Sequence, residues 1–254
     1  MLENIIEIFI LSLIQGVSEF LPISSSSHLI IVSTLYEFKS SSLLIDISLH
    51  LGSLFAILFF YKTDIFNLKS NKKFISLIFF GSIPLIIFGF IFYITGVIEL
   101  LRDVKIIAWT TITFGILLYF ADKNKFELSM DKELPIKSIL IIGLFQILSL
   151  IPGVSRAGIV ITGARFLKYN RTDSAKISFL LSIPALCGAS VLSLNDILKQ
   201  SINFNYLVIL AIVLSFFFSF ITVKFFLKFI KKFSMNIFVV YRIALGLVLL
   251  FLVY

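Results

Sequence analysis

A single cysteine, Cys187, lies within an apolar stretch. It excludes an intrachain disulfide and a cysteine-built metal cluster, and reads as packing. Histidine is almost as scarce, with His28 and His50 alone, and charged residues make up only 14% of the 254-residue chain. What is missing above all is soluble character: 59% of residues are hydrophobic and the mean hydropathy is +1.08, far outside the range of a water-soluble domain. No basic domain interleaved with aromatics is present, so the net charge of +8 points to membrane topology rather than nucleic acid. No small-residue cleavage site follows the first apolar stretch, so the N-terminus is read as mature.

What is present is a series of apolar runs bounded by charge. They fall approximately at Asn4–Leu21, Ser24–Tyr36, Leu43–Tyr61, Phe74–Ile98, Val104–Ala121, Lys137–Ile151, Arg156–Leu167, Asp173–Leu194, Phe204–Ile230 and Met235–Tyr254. Crossing about 30 Å of hydrocarbon takes roughly 20 residues, and an open sheet cannot satisfy its backbone in lipid, so the runs read as helices. Ser24–Tyr36 and Arg156–Leu167, at 13 and 12 residues, are too short to cross. Each follows a break containing proline, at Pro22 and at Pro152, so each pair of runs reads as a re-entrant hairpin that returns to the face it entered.

The basic residues test that layout, because the cytoplasmic side should collect them. With both hairpins returning, the loops at 62–73, 121–137, 165–176 and 224–232 share one side and hold 16 of the 22 lysines and arginines. The other side holds Lys39, Arg102, Lys105 and Lys199, while Arg156 and Arg242 fall at membrane depth. Both termini then face away from the cytoplasm.

A weak internal repeat accompanies this pattern. Pro22 and Ser25 recur as Pro152 and Ser155 at an offset of 130, and Leu51, Ser53 and Ala56 recur as Leu180, Ser182 and Ala185 at an offset of 129. One hairpin plus three crossings per half inverts the second copy relative to the first. The expected fold is therefore an all-α polytopic membrane protein, a single domain over residues 1–254, with an inverted-topology repeat of about 1–125 and 135–254.

The first break carries the chemistry. In QGVSEFLPISSSSHL, residues 15–29, Gln15 and Glu19 are four apart and share a helix face before Pro22 ends it. An ionisable group at membrane depth is costly, which makes Glu19 and His28 functional candidates rather than solvated loop residues. Of the four serines, one or two read as helix caps. A serine can also be a nucleophile if His28 or Glu19 takes its proton.

The second break, PGVSRAGIVITGARF at residues 152–166, supplies a cation. Arg156 has a planar fork suited to phosphate or carboxylate oxygens, and Gly153 and Gly158 could let backbone amides approach an anion. Alternatively Arg156 pairs with Glu19 across the two hairpins, and the two roles are compatible. His50 reads as a packing histidine, Asp46 and Asp173 as caps, and Arg242 either helps bind phosphate or snorkels to an interface.

With these residues in hand, the chain resembles the undecaprenyl-diphosphate phosphatase family, the bacitracin-resistance type of integral membrane phosphatase. Gln15, Glu19, Pro22, Ser24, Ser25 and His28 match its first signature, and Pro152, Gly153, Ser155 and Arg156 match its second. Ala157 stands where that family has serine, and Val160 where it usually has threonine, with Thr162 nearby.

The resemblance implies hydrolysis of undecaprenyl diphosphate to the monophosphate at a bacterial inner or plasma membrane, and the distribution of basic residues favours a site facing the outer leaflet. It implies Ser25 as nucleophile, His28 or Glu19 as proton carrier, Arg156 on the phosphate oxygens, and Mg²⁺ or Ca²⁺ resting on Glu19 and the diphosphate. Gln15, Ser24 and Ser26 would contact substrate from the first break, and Gly153, Ser155 and Thr162 from the second, helped by Arg242. Its partners are the lipid substrate and membrane lipids, not nucleic acid, with a homodimer left open. The rival expectation is a polyprenyl-phosphate flippase or transporter with little or no phosphatase activity, since inverted repeats with broken helices also build carriers.

Overall fold

The computed structural model describes residues 2–36, 38, 42–66, 68–123, 128–130, 134–198 and 206–254. Lys39, Lys125, Lys132 and Lys199 of the charge count lie outside the described residues. The helices are α1 (Leu2–Ser18), α2 (Ser25–Tyr36), α3 (Leu43–Phe60), α4 (Lys62–Phe66), α5 (Leu68–Thr95), α6 (Val97–Leu100), α7 (Val104–Asp122), α8 (Ile136–Ile147), α9 (Arg156–Phe166), α10 (Arg171–Leu198), α11 (Tyr206–Ile230) and α12 (Asn236–Val253), with a 3₁₀ turn at Leu148–Leu150. Among the described residues there is no strand, only a lone bridge between Leu128 and Tyr169.

Among the described residues, six helices are long and apolar enough to cross a membrane: α3, the Lys72–Thr95 part of α5, α7, the Arg171–Leu192 part of α10, α11 and α12. They coincide with the six long runs expected to cross. Local chemistry sets several of their starts. Ser42 Oγ accepts from Ile45 N at 3.3 Å to cap α3, and Asp103 Oδ1 accepts from Lys105 N at 2.6 Å to cap α7. Pro84 and Pro184 stand inside α5 and α10 without ending them. A membrane-spanning helix tolerates proline because neighbouring helices and local adjustment can re-satisfy the freed carbonyl.

Pairing follows a cross-over pattern. α1 packs on α11 and α8 on α5, so the first helix before each break lies against a long helix of the other half. α3 also packs on α11, and α7 pairs with α12. Small residues set these approaches, as apolar helices in lipid gain by close backbone contact rather than by expelling water. A side chain on Gly143 would run into the Gly81 backbone, and one on Gly52 into Ile212 and Ser215.

The core gathers around α9, which is buried from Ala157 to Arg165. Phe20, next to Glu19, meets Phe179 edge-on at 5.4 Å, and Phe179 meets Phe226 at 6.0 Å, forming an aromatic floor.

One end of the bundle is tied by charge. Asp122 at the end of α7 accepts Arg171 Nε at 2.7 Å and Nη2 at 2.9 Å, lies 3.5 Å from Arg165 Nε, and accepts Met235 N at 3.0 Å. Lys176 donates to Asp64 at 3.2 Å. The loops after α3, α7, α9 and α11 therefore lie at the same end, as the lysine and arginine distribution requires.

Candidate active site

The two proline breaks are built alike. α1 stops at Ser18, Pro22 has no N–H to continue it, and the chain turns through Ser24 at φ 76° before α2 starts at Ser25. After the 3₁₀ turn, Pro152, Gly153 at φ 90° and Ser155 at φ 68° lead into α9 at Arg156. The first residues of α2 and α9, Ser25 and Arg156, both bond to Glu19.

Glu19 is the hub. Its Oε1 accepts Arg156 Nη2 at 2.5 Å, and its Oε2 accepts Ser25 Oγ at 2.6 Å and Gln15 Nε2 at 3.1 Å. Glu19 is 6% exposed. The ion pair weighed from sequence is therefore present, and it leaves Arg156 Nη1 with only a 3.5 Å contact to the Ser178 carbonyl. A guanidinium on one oxygen and a hydroxyl donor on the other leave both Glu19 oxygens as acceptors, the arrangement of a carboxylate. Two helix N-termini meeting here add partial positive charge, a setting that favours an anion.

His28 turns away from Ser25 to other partners. Its Nδ1 is 2.6 Å from the Ser24 carbonyl and its Nε2 is 2.6 Å from the Tyr241 hydroxyl. A carbonyl only accepts, so the ring proton sits on Nδ1, and in the neutral ring Nε2 accepts from Tyr241. Ser24 Oγ is 2.9 Å from Ser27 Oγ. The Ser26 side chain lies outside the described part of the structure.

Arg242 does not snorkel. It is fully buried, and its guanidinium donates to four backbone carbonyls: Nε to Thr111 at 3.1 Å, Nη1 to Pro22 at 3.3 Å, and Nη2 to Gly153 at 2.8 Å and Val154 at 3.0 Å. The carbonyls freed by the two breaks thus share one cation, which fixes the breaks relative to each other. Thr110 Oγ1 adds a bond to the Pro152 carbonyl at 2.6 Å.

The remaining second-motif residues are engaged locally. Ser155 Oγ accepts from Gly158 N at 3.1 Å as the cap of α9, and Thr162 Oγ1 donates to the Gly158 carbonyl at 2.7 Å. Val160 is fully buried in the core. A side chain at Gly153 would strike the Ile107 carbonyl at 2.7 Å, and one at Gly158 would meet Arg242 Nη1 at 2.9 Å. These glycines admit α7 and Arg242.

Sequence reasoning read His50 as packing, used Ser53 only as part of the repeat and gave Tyr241 no role. His50 Nδ1 lies 2.9 Å from Gln15 Nε2 and 3.7 Å from Glu19 Oε2, and Ser53 Oγ lies 3.4 Å from Gln15 Nε2. The one signal was His50 standing three before Ser53, which puts both on one helix face. Among the described residues, no group of three or more His, Cys, Asp or Glu gathers as a metal cage. The hard oxygen donors available are the Glu19 carboxylate and Gln15 Oε1, which is buried without a hydrogen-bond partner.

Comparison with known proteins adds the following. Residues 8–248 match the family model described as bacitracin resistance protein BacA. The chain is 58% identical over 255 residues to an undecaprenyl-diphosphatase of Pelagibacter ubique (strain HTCC1062), covering 100% of both chains. It is 41% identical over 263 residues to one of Campylobacter curvus (strain 525.92), covering 98% of this chain and 99% of that protein. It is 36% identical over 265 residues to one of Ruegeria sp. (strain TM1040), again covering 98% and 99%.

Proposed function

Because the chain belongs to the bacitracin resistance protein BacA family, we infer that it is a polytopic membrane hydrolase that converts undecaprenyl diphosphate to undecaprenyl phosphate and phosphate, recycling the lipid carrier for cell-wall synthesis. The observation that carries this reading is Glu19 held between the Ser25 hydroxyl and the Arg156 guanidinium. The relatives give no support to a polyprenyl-phosphate carrier, and a carrier would not need a hydroxyl aimed at a carboxylate.

Phosphoryl transfer asks chiefly for positioning and charge stabilisation. Ser25 Oγ attacks the terminal phosphorus as Glu19 takes its proton, so the Oγ–P bond forms while the bridging P–O bond breaks. The leaving group is a phosphate monoester, already a stable anion, and needs no proton to depart. Arg156 and the N-termini of α2 and α9 stabilise charge on the transferred group. In the second half, water attacks the phosphoserine and the P–Oγ bond breaks; Glu19 returns to Ser25 Oγ the proton it took, the water proton passes to a phosphate oxygen, and free phosphate leaves.

Gln15 Oε1, buried without a hydrogen-bond partner, and the Glu19 carboxylate would hold a hard divalent cation, Mg²⁺ or Ca²⁺. Such an ion would neutralise diphosphate charge.

In the membrane, α1–α2 and α8–α9 are read as re-entrant hairpins of an inverted repeat. Supporting this are the left-handed serines 131 positions apart, Ser24 and Ser155, and the crossed pairing of α1 with α11 and α8 with α5. The basic loops gathered at one end support a cytoplasmic position for that end, with the first hairpin in the outer half of an inner or plasma membrane. A lipid would then present its head group to the buried site from the side.

The deciding measurement is phosphate release from a polyprenyl diphosphate by the purified protein in detergent, with and without a chelator. Release that requires a divalent ion is the expected result; none under any divalent ion would return the carrier reading.

A further inference from the structure

Gln15 reaches Glu19 and His50 with the same nitrogen, and that double contact constrains every proton in the chain of bonds. Glu19, ionised against Arg156, can only accept, so the Gln15 atom 3.1 Å away is the amide nitrogen. The same nitrogen is 2.9 Å from His50 Nδ1, which must then accept as well. His50 is therefore a neutral ring with its proton on Nε2, opposite to His28, whose Nδ1 donates to the Ser24 carbonyl. Turning the amide over would set its oxygen against the Glu19 carboxylate and leave the carboxylate without that donor.

We propose that His50 is a positioning residue for the reaction, locking the Gln15 carboxamide with its nitrogen on Glu19 and its oxygen buried without a hydrogen-bond partner. This rests on the reading of Glu19 as the group that takes the Ser25 proton. His50 touches neither Ser25 nor Arg156; it acts through Gln15. Its own helix is fixed behind it, with Ser53 Oγ accepting from Ser219 Oγ at 2.9 Å and Ser215 Oγ donating to the Leu49 carbonyl at 2.6 Å.

Two measurements test this. The chain has only two histidines, so ¹⁵N-histidine labelling of the whole protein in detergent, at a pH where both rings are neutral, resolves them. Opposite tautomers are expected, Nδ1–H at His28 and Nε2–H at His50, with His28→Asn used for assignment. A predominant Nδ1–H form at His50 overturns the proposal.

The second measurement is kinetic. His50→Asn keeps an acceptor where Nδ1 stood and should hold kcat within about threefold, whereas His50→Leu should lose about tenfold or more with KM within about twofold. Gln15→Leu combined with His50→Leu should be no worse than Gln15→Leu alone. A His50→Asn as poor as His50→Leu, or additive losses, overturns the proposal. If wild-type protein releases no phosphate, the hydrolase reading falls, while the tautomer measurement still decides the hydrogen-bond assignment.

Discussion

Arg156 Nη2 lies 2.5 Å from Glu19 Oε1, joining residues 137 positions apart in a pair whose side chains are 13% and 5% exposed. Removing either member strands a charge, at a cost of about 3–5 kcal/mol. Arg156→Met should therefore lower the unfolding midpoint in detergent and abolish turnover. Glu19→Gln together with Arg156→Met should recover much of the midpoint and none of the turnover, separating the structural part of the pair from its chemistry. Arg156→Lys, lacking the fork, should keep the fold and lose turnover severely.

Ser25→Ala should eliminate phosphate release while the protein still binds the lipid diphosphate, measured by retention of substrate on the purified protein. Substantial turnover by this variant would remove Ser25 as the nucleophile and leave it as a hydrogen-bond donor to the phosphate.

Arg242→Lys distinguishes a clamp from a phosphate ligand. Hydrogen bonds to charged groups are worth about 1.5–3 kcal/mol each, and a lysine cannot span four carbonyls. A lower midpoint and a lower kcat with little change in KM are expected. A selective rise in KM would instead place Arg242 on the substrate.

Gly153 and Gly96 both adopt positive φ, at 90° and 70°, but a side chain at Gly153 meets the Ile107 carbonyl at 2.7 Å while Gly96 has nothing within 4 Å. Gly96→Ala should cost about 1 kcal/mol. Gly153→Ala should cost more than about 3 kcal/mol and reduce turnover, because the displaced backbone is the one Arg242 holds. Thermal unfolding of the two variants side by side checks the contrast.

The long helices were legible because lipid leaves apolar runs few alternatives, and the proline breaks were legible because proline cannot donate. Glu19, Ser25 and Arg156 were legible as polar exceptions at those breaks. The roles of Arg242, Gly153 and Thr162 were not. Arg242 bonds main-chain carbonyls, which every residue carries and no sequence pattern marks, and Thr162 turns its hydroxyl back on its own helix. His50 read as packing because a lone histidine on an apolar helix declares nothing until the rotation of α3 against α1 is known. The buried Asp122 knot was hidden for a related reason: the four basic loops were counted for their charge, and the carboxylate that collects two of their arginines was not.

The clamp residue comes from α12, which the ribosome makes after both breaks. A nascent chain that has already threaded Glu19, Ser25 and Arg156 into the bilayer still lacks the cation that holds their two turns together. Such a chain carries these side chains without the clamp that holds both turns, so the arrangement around Glu19 is complete only once α12 is in place.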